Sequence, residues 1–131
     1  MHTLRTSPYS QHPLLLILDK TLRDCLCNLL NADLSEQQWL QASLPVRCGG
    51  LGIRSISQLA PSAFLASYNS TRELQLQILG NHASSIDPEY VRVESVWSCG
   101  LNLVAPVGSA ACTRRHWDGP VVEKSFTRLL E

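Results

Sequence analysis

The sequence predicts a single all-α domain of about five to seven short helices, and three observations carry that prediction. Leu15, Leu18, Leu22, Leu26 and Leu29 recur at three- and four-residue steps, the spacing of one helix face. Ser35, Ser55 and Ser70 each stand three residues before a Gln or Glu (Gln38, Gln58 and Glu73), the pattern by which a helix start satisfies its first N–H groups. Asp87-Pro88-Glu89 combines a cap, a proline at the first helical position and an acid in the first turn.

Residues 1–12 read as a polar lead-in and residues 13–131 as the helical domain. Pro13 suits the start of a helix running to about Leu30, with Lys20, Asp24 and Asn28 on its wet face. Asp19–Arg23 and Lys20–Asp24 are spaced as i,i+4 ion pairs, each worth about 0.2–0.5 kcal/mol. Leu14, Leu16 and Ile17 make the first turn apolar nearly all round, which predicts an exposed patch and self-association. Asn31 can close this helix in a left-handed conformation, and Ser35 opens a short one ending by Leu44.

A Pro/Gly-rich corner then spans residues 38–55, and the other elements are expected to pack around it. Pro45 cannot continue a helix and pushes Leu44 toward extended geometry. Gly49 and Gly50 can take positive φ and allow close approach, and Gly52 follows within two residues. Leu51 and Ile53 are expected to re-enter the core. Trp39 is expected to be largely buried, against a strip formed by Ala60, Ala63 and Ala66. Trp39, Pro45, Gly49, Gly50 and Gly52 are therefore the candidate structural residues.

Beyond the corner, Ser55 should cap a helix that Pro61 kinks or breaks, and Ser70 should start another that Gly80 stops. After Pro88, Tyr90, Val93, Val96 or Trp97, and Leu101 line one face, with Gly100 as terminator. The alternation of Val91 and Val93 favours a strand, but the cap decides for helix. Residues 101–108 read as a loop and Ser109–Trp117 as a short helix. Gly119-Pro120 opens a last helix, with Val122, Phe126 and Leu129 or Leu130 inward.

Composition narrows the function classes. The 11 basic and 11 acidic residues give a formal charge of +0, which argues against a broad nucleic-acid-binding face. The one N-terminal apolar run, Leu14–Leu18, is too short for a membrane span or a signal peptide. The chain reads as intracellular and soluble, in nucleus or cytoplasm alike. Five cysteines without a C-x-x-C pair read as small apolar residues in a reducing compartment. The glycine cluster lacks the Gly-Lys-Ser/Thr of a phosphate loop. His2, His12, His82 and His116 have no nucleophile elbow to serve, and Asp19, Asp24, Asp33 and Glu36 do not form the acidic pair that two-metal chemistry needs. No catalysis, cofactor or metal is expected.

The corner segment QWLQASLPVRCGGLGIRS (38–55), followed by QLAPSAFLAS (58–67), resembles the region just downstream of the polymerase core in reverse transcriptases of non-LTR retrotransposons. LRTSP (4–8), HPLL (12–15) and LDKTLRDCL (18–26) are similar to that family's thumb-like helix, and HWDGPVV (116–122) resembles a later Trp-Asp-x-Pro element. The likeness is close over residues 4–80, with 13–80 nearest the thumb-like region and 81–131 a looser helical continuation. In that family the Tyr-x-Asp-Asp metal motif lies upstream, and no Asp-Asp pair occurs here. The resemblance therefore implies a retrotransposon-derived fragment without the catalytic centre. It also implies residual backbone contact with an RNA/DNA template–primer duplex, for which Lys20, Arg23, Arg47 and Arg54 are the candidates. Arg114-Arg115, beside His116 and Trp117, is a second candidate patch. The alternative is a helical protein-interaction domain with no nucleic-acid role.

Overall fold

The computed structural model describes residues 2–8, 11–80 and 85–131, so His82 lies outside the described residues. The fold is all-α, as expected, with six α-helices and no strand among those residues. They are α1 (His2–Thr6), α2 (Pro13–Leu30), α3 (Glu36–Ser43), α4 (Ile56–Leu79), α5 (Pro88–Leu101) and α6 (Arg114–Leu130), with 3-10 turns at Val46–Cys48 and Gly108–Ala110. The domain divides into two compact units, Gln11–Leu59 with Val121–Glu131 and Met1–Ser10 with Ala60–Pro120.

In the first of these units, α2 starts and stops where its caps place it. His12 Nδ1 accepts from the Leu14 N–H at 3.2 Å, and Asn31 ends the helix at φ 49°. The inward stripe is Leu15, Asp19, Leu22 and Leu26, of which Asp19 and Leu26 are buried. A carboxylate thus occupies a place expected of leucine, while Leu18 and Leu29 face water, Leu29 at 84% exposure. In α3 the expected capping box forms: the Gln38 N–H donates to Ser35 Oγ at 3.2 Å and the Ser35 N–H to Gln38 Oε1 at 2.8 Å.

The corner folds back by backbone hydrogen bonds. Leu51 N donates to the Ala42 carbonyl at 3.0 Å and Gly52 N to the Leu44 carbonyl at 2.9 Å. Gly49 and Gly52 sit at φ 78° and 74°, but Gly50 does not have positive φ. Gly50 is needed for a different reason: a Cβ there would lie 2.0 Å from the Leu44 carbonyl oxygen. Leu44 enters the core, whereas Leu51 is 56% exposed and Ile53 half-buried. The return leg lays its backbone, rather than its side chains, against the end of α3. At the end of the chain Val122 points inward as expected and Leu129 is half-buried, but Phe126 and Leu130 are exposed.

The second unit opens with α1, a five-residue helix inside the stretch read as a polar lead-in. The expected break near Pro61 is absent. Pro61 lies six residues into a continuous α4, so the helix forfeits one N–H bond, to the Ser57 carbonyl, and continues. The Ser70 helix start is absent as well. Ser70 Oγ donates to the Ser67 carbonyl at 2.9 Å, so its hydroxyl turns back onto α4 rather than capping anything. Asp87 caps α5 through the Glu89 N–H (2.9 Å), but α5 passes through Gly100 and closes at Asn102, φ 55°.

This unit's core gathers Ala63, Leu65, Val93, Trp97 and Trp117, each at most 5% exposed. The Trp97 N–H donates to the Trp117 carbonyl at 3.0 Å and the Trp117 N–H to the Ala111 carbonyl at 2.7 Å. The two rings meet edge to face, 4.9 Å apart at 75°, an arrangement worth about 0.5–1.5 kcal/mol beyond area burial. α6 begins at Arg114 and carries Pro120 in its interior, so the expected boundary at Gly119-Pro120 is not there. No disulfide forms: all five cysteines are free, and Cys25, Cys99 and Cys112 are exposed. Among the described residues no helix is long and apolar enough to cross a membrane, and no group of three His, Cys, Asp or Glu side chains is placed to hold a metal ion.

Candidate functional site

The most elaborate polar construction lies in the first unit, where Asp19 of α2 caps α4. Its carboxylate accepts from the Ile56 N–H at 2.6 Å, the Ser57 N–H at 3.1 Å, the Ser55 hydroxyl at 2.8 Å and the Ser57 hydroxyl. A helix start leaves four N–H groups without intrahelical partners and prefers a negative charge beside them. Asp19 meets both requirements from 36 residues away in sequence. The expected Ser55–Gln58 box is therefore replaced: the Ser55 hydroxyl donates to Asp19 rather than capping its own helix.

With Asp19 so engaged, Arg23 is left to reach α3. Its guanidinium donates to the Glu36 carboxylate and to the Leu34 carbonyl, and the Glu36 hydrogen bond holds it above its ordinary arginine pKa. Neither expected i,i+4 pair of α2 forms among the described residues. The four nominated cations consequently separate. Arg23 is held by Glu36, Arg54 is half-buried and partnered, and Lys20 and Arg47 stay exposed. The second nominated patch divides too: Arg114, Arg115 and His116 are exposed, but Trp117 is fully buried.

Beside Asp19 lies a cavity of about 360 Å³ whose lining includes Glu36, Trp39, Ser55, Ser57 and Arg128. Trp39 forms part of its wall and is half-buried, not buried in the core as expected. The physical reason is the size of α3. In an eight-residue helix the inward positions next to the corner are Ala42 and Ser43, and Trp39 sits one turn earlier, at the open end. Of the three serine hydroxyls lining this cavity, those of Ser55 and Ser57 donate to Asp19 and that of Ser43 to the Leu40 carbonyl, and among the described residues no histidine or cysteine joins them. That arrangement anchors a helix; it does not activate a nucleophile.

No protein-family model, curated protein or solved structure matches the chain. On α2 the chain presents an apolar run to water. Leu14, Leu16 and Ile17 are 60%, 66% and 59% exposed, in agreement with the expectation for that turn, and Leu18 joins them.

The reading of the sequence missed Asp19. The available signal was an acid standing at the i+4 position of an otherwise leucine stripe, together with a Ser-Ile-Ser sequence directly after the corner. The i,i+4 basic residue at position 23 supplied a local explanation that concealed the tertiary one.

Proposed function

We propose that the chain is a non-catalytic helical fragment, similar to the region downstream of the polymerase core of a retrotransposon reverse transcriptase, that acts by docking its α2 surface on protein. The observation that carries this reading is the apolar first turn of α2, where Leu14, Leu16, Ile17 and Leu18 present four large side chains to water in one run. Monomers rarely leave such a patch uncovered. On the resemblance, the surface that meets it is the polymerase core of the same kind of enzyme. Two experiments test this reading. Primer extension on a primed RNA template with magnesium should show no synthesis above a no-protein control. A reverse-transcriptase core of this kind, supplied in trans, should bind the chain, and Leu14→Lys with Ile17→Lys should abolish that binding.

Exposed Lys20 and Arg47 favour a second reading, contact with a template–primer duplex. With Arg23 held by Glu36 and Arg54 partnered, that contact rests on two free cations. Two phosphate contacts give a slope of log affinity against log salt of only about −2. A steeper slope, or affinity that survives Lys20→Gln with Arg47→Gln, rules this version out.

A further inference from the structure

We propose that the unit formed by Met1–Ser10 and Ala60–Pro120 holds a binding site for a phosphate monoester, in the cavity between Arg5 and Arg114. This goes beyond the docking surface of α2 and does not depend on it. The cavity measures about 330 Å³, roughly ten times the volume a water molecule takes in the liquid, which is room for an anionic group and part of what bears it. Among the described residues both charged residues in its lining are arginines, Arg5 from α1 and Arg114 from the start of α6, and no acid lines it. Among the described residues neither guanidinium has an ion-pair or hydrogen-bond partner, whereas Arg23 and Arg92 are each held by a glutamate. Two unneutralised cations lining one cleft repel each other, and a dianion between them removes that repulsion. A guanidinium fork also matches the geometry of phosphate oxygens.

The start of α6 supplies an independent observation. Only α3 and α5 carry a glutamate in the first turn, as the helix dipole favours; α1, α2, α4 and α6 carry no acid there, and α6 alone begins with two arginines, Arg114-Arg115. Cations at a helix N-terminus oppose the dipole, and a sequence that breaks a local rule in this way tends to do so at a functional site. Here Arg114, the first residue of α6, lines the same cavity as Arg5. Three hydroxyls also line it, beside Ala63, Ala66 and Cys112: Thr113, which donates to the Ser109 carbonyl, Ser70, which donates to the Ser67 carbonyl, and Ser67. The Ser67 hydroxyl has no protein partner among the described residues, and hydroxyl protons rotate to suit an acceptor. The double charge of a monoester fits two arginines better than the single charge of a diester.

The test is a titration of the full chain with inorganic phosphate, against sodium chloride at matched ionic strength, followed by amide chemical shifts. Saturable shifts are expected at Thr113–Arg115 and Ser67–Ser70 with phosphate and not with chloride. Arg5→Gln and Arg114→Gln should each weaken binding about tenfold or more, the loss expected for one charge-assisted contact. Arg115→Gln, one residue away but outside the lining, should bind as the parent does. An oligodeoxythymidylate without terminal phosphates should bind more weakly than phosphate. The melting temperature of the parent chain should rise with phosphate, which keeps the test decisive if an arginine variant fails to fold. The proposal is overturned if chloride reproduces the phosphate shifts or if Arg115→Gln costs as much as Arg114→Gln. Oligonucleotide binding at least as tight as phosphate binding would overturn the monoester assignment.

Discussion

Replacing Asp19 by alanine should be the most damaging single change on α2, although no core leucine is touched. The carboxylate receives two backbone N–H groups and two hydroxyls at the start of α4 and is 8% exposed. Loss of a helix cap costs about 0.5–2 kcal/mol, and a buried donor left without its acceptor costs about 1–3. The adjacent cavity can admit water to some of the freed donors, so these contributions do not simply add. A loss of about 2–4 kcal/mol follows, a large part of the 5–15 available to a whole domain. Asp19→Asn keeps one carbonyl oxygen as acceptor but gives up the charge, and should fall roughly midway. The assay is urea unfolding followed by far-UV circular dichroism, with slopes compared to confirm that the same surface is exposed on unfolding. A loss below about 0.5 kcal/mol for Asp19→Ala, within the range of an ordinary surface change, would refute the anchoring role.

At the corner, Gly50→Ala should destabilise more than Gly49→Ala in the same assay. The first drives a Cβ to 2.0 Å from a backbone oxygen, while the second meets nothing within 4 Å and carries only the left-handed penalty of about 1–2 kcal/mol. The parent chain should self-associate at high concentration in size-exclusion chromatography, and Leu14→Lys with Ile17→Lys should return it to a monomer; a monomeric parent refutes this. Burial raises the pKa of the Tyr90 phenol above its ordinary value of 10.0, with the Asn69 hydrogen bond opposing. Because the folded pKa is raised, the stability it contributes is fully present below pH 10.0 and is lost as pH rises through the folded value. Alkaline titration by tyrosinate absorbance should lose a phenol ionising above pH 10.0 in Tyr90→Phe.

What was legible in the sequence was what neighbours in the sequence decide. Pro13, Asn31, the Ser35–Gln38 box and the Asp87 cap all work within one turn, and all four act as their residue types require. The same pattern misled at Ser55 and Ser70, because a serine hydroxyl chooses among several partners. One found a carboxylate from another helix and the other a carbonyl of its own helix. Pro61 and Pro120 each remove a single donor, and each helix has enough remaining bonds and packing to run through the gap. Trp39, expected against the strip of Ala60, Ala63 and Ala66, is half-buried instead. The two tryptophans that do fill a core are those whose N–H groups reach a carbonyl, a pairing that joins residues 20 and 6 apart. Of the nominated cations, Arg23 is drawn to Glu36 thirteen residues away, a pairing that sequence spacing does not reveal.

The placement of the three indoles makes the protein its own fluorescent reporter. Trp39 is half-buried in one unit, while Trp97 and Trp117 are sealed in the other. A neutral collisional quencher such as acrylamide should therefore dim a red-shifted fraction belonging to Trp39 and leave a blue-shifted fraction nearly untouched. In Trp39→Phe the accessible fraction should vanish, and the remaining emission follows the edge-to-face pair alone. Denaturation monitored in the parent and in this variant then reads the melting of each unit separately, without an attached dye. Coincident curves would mean that one cooperative transition governs both.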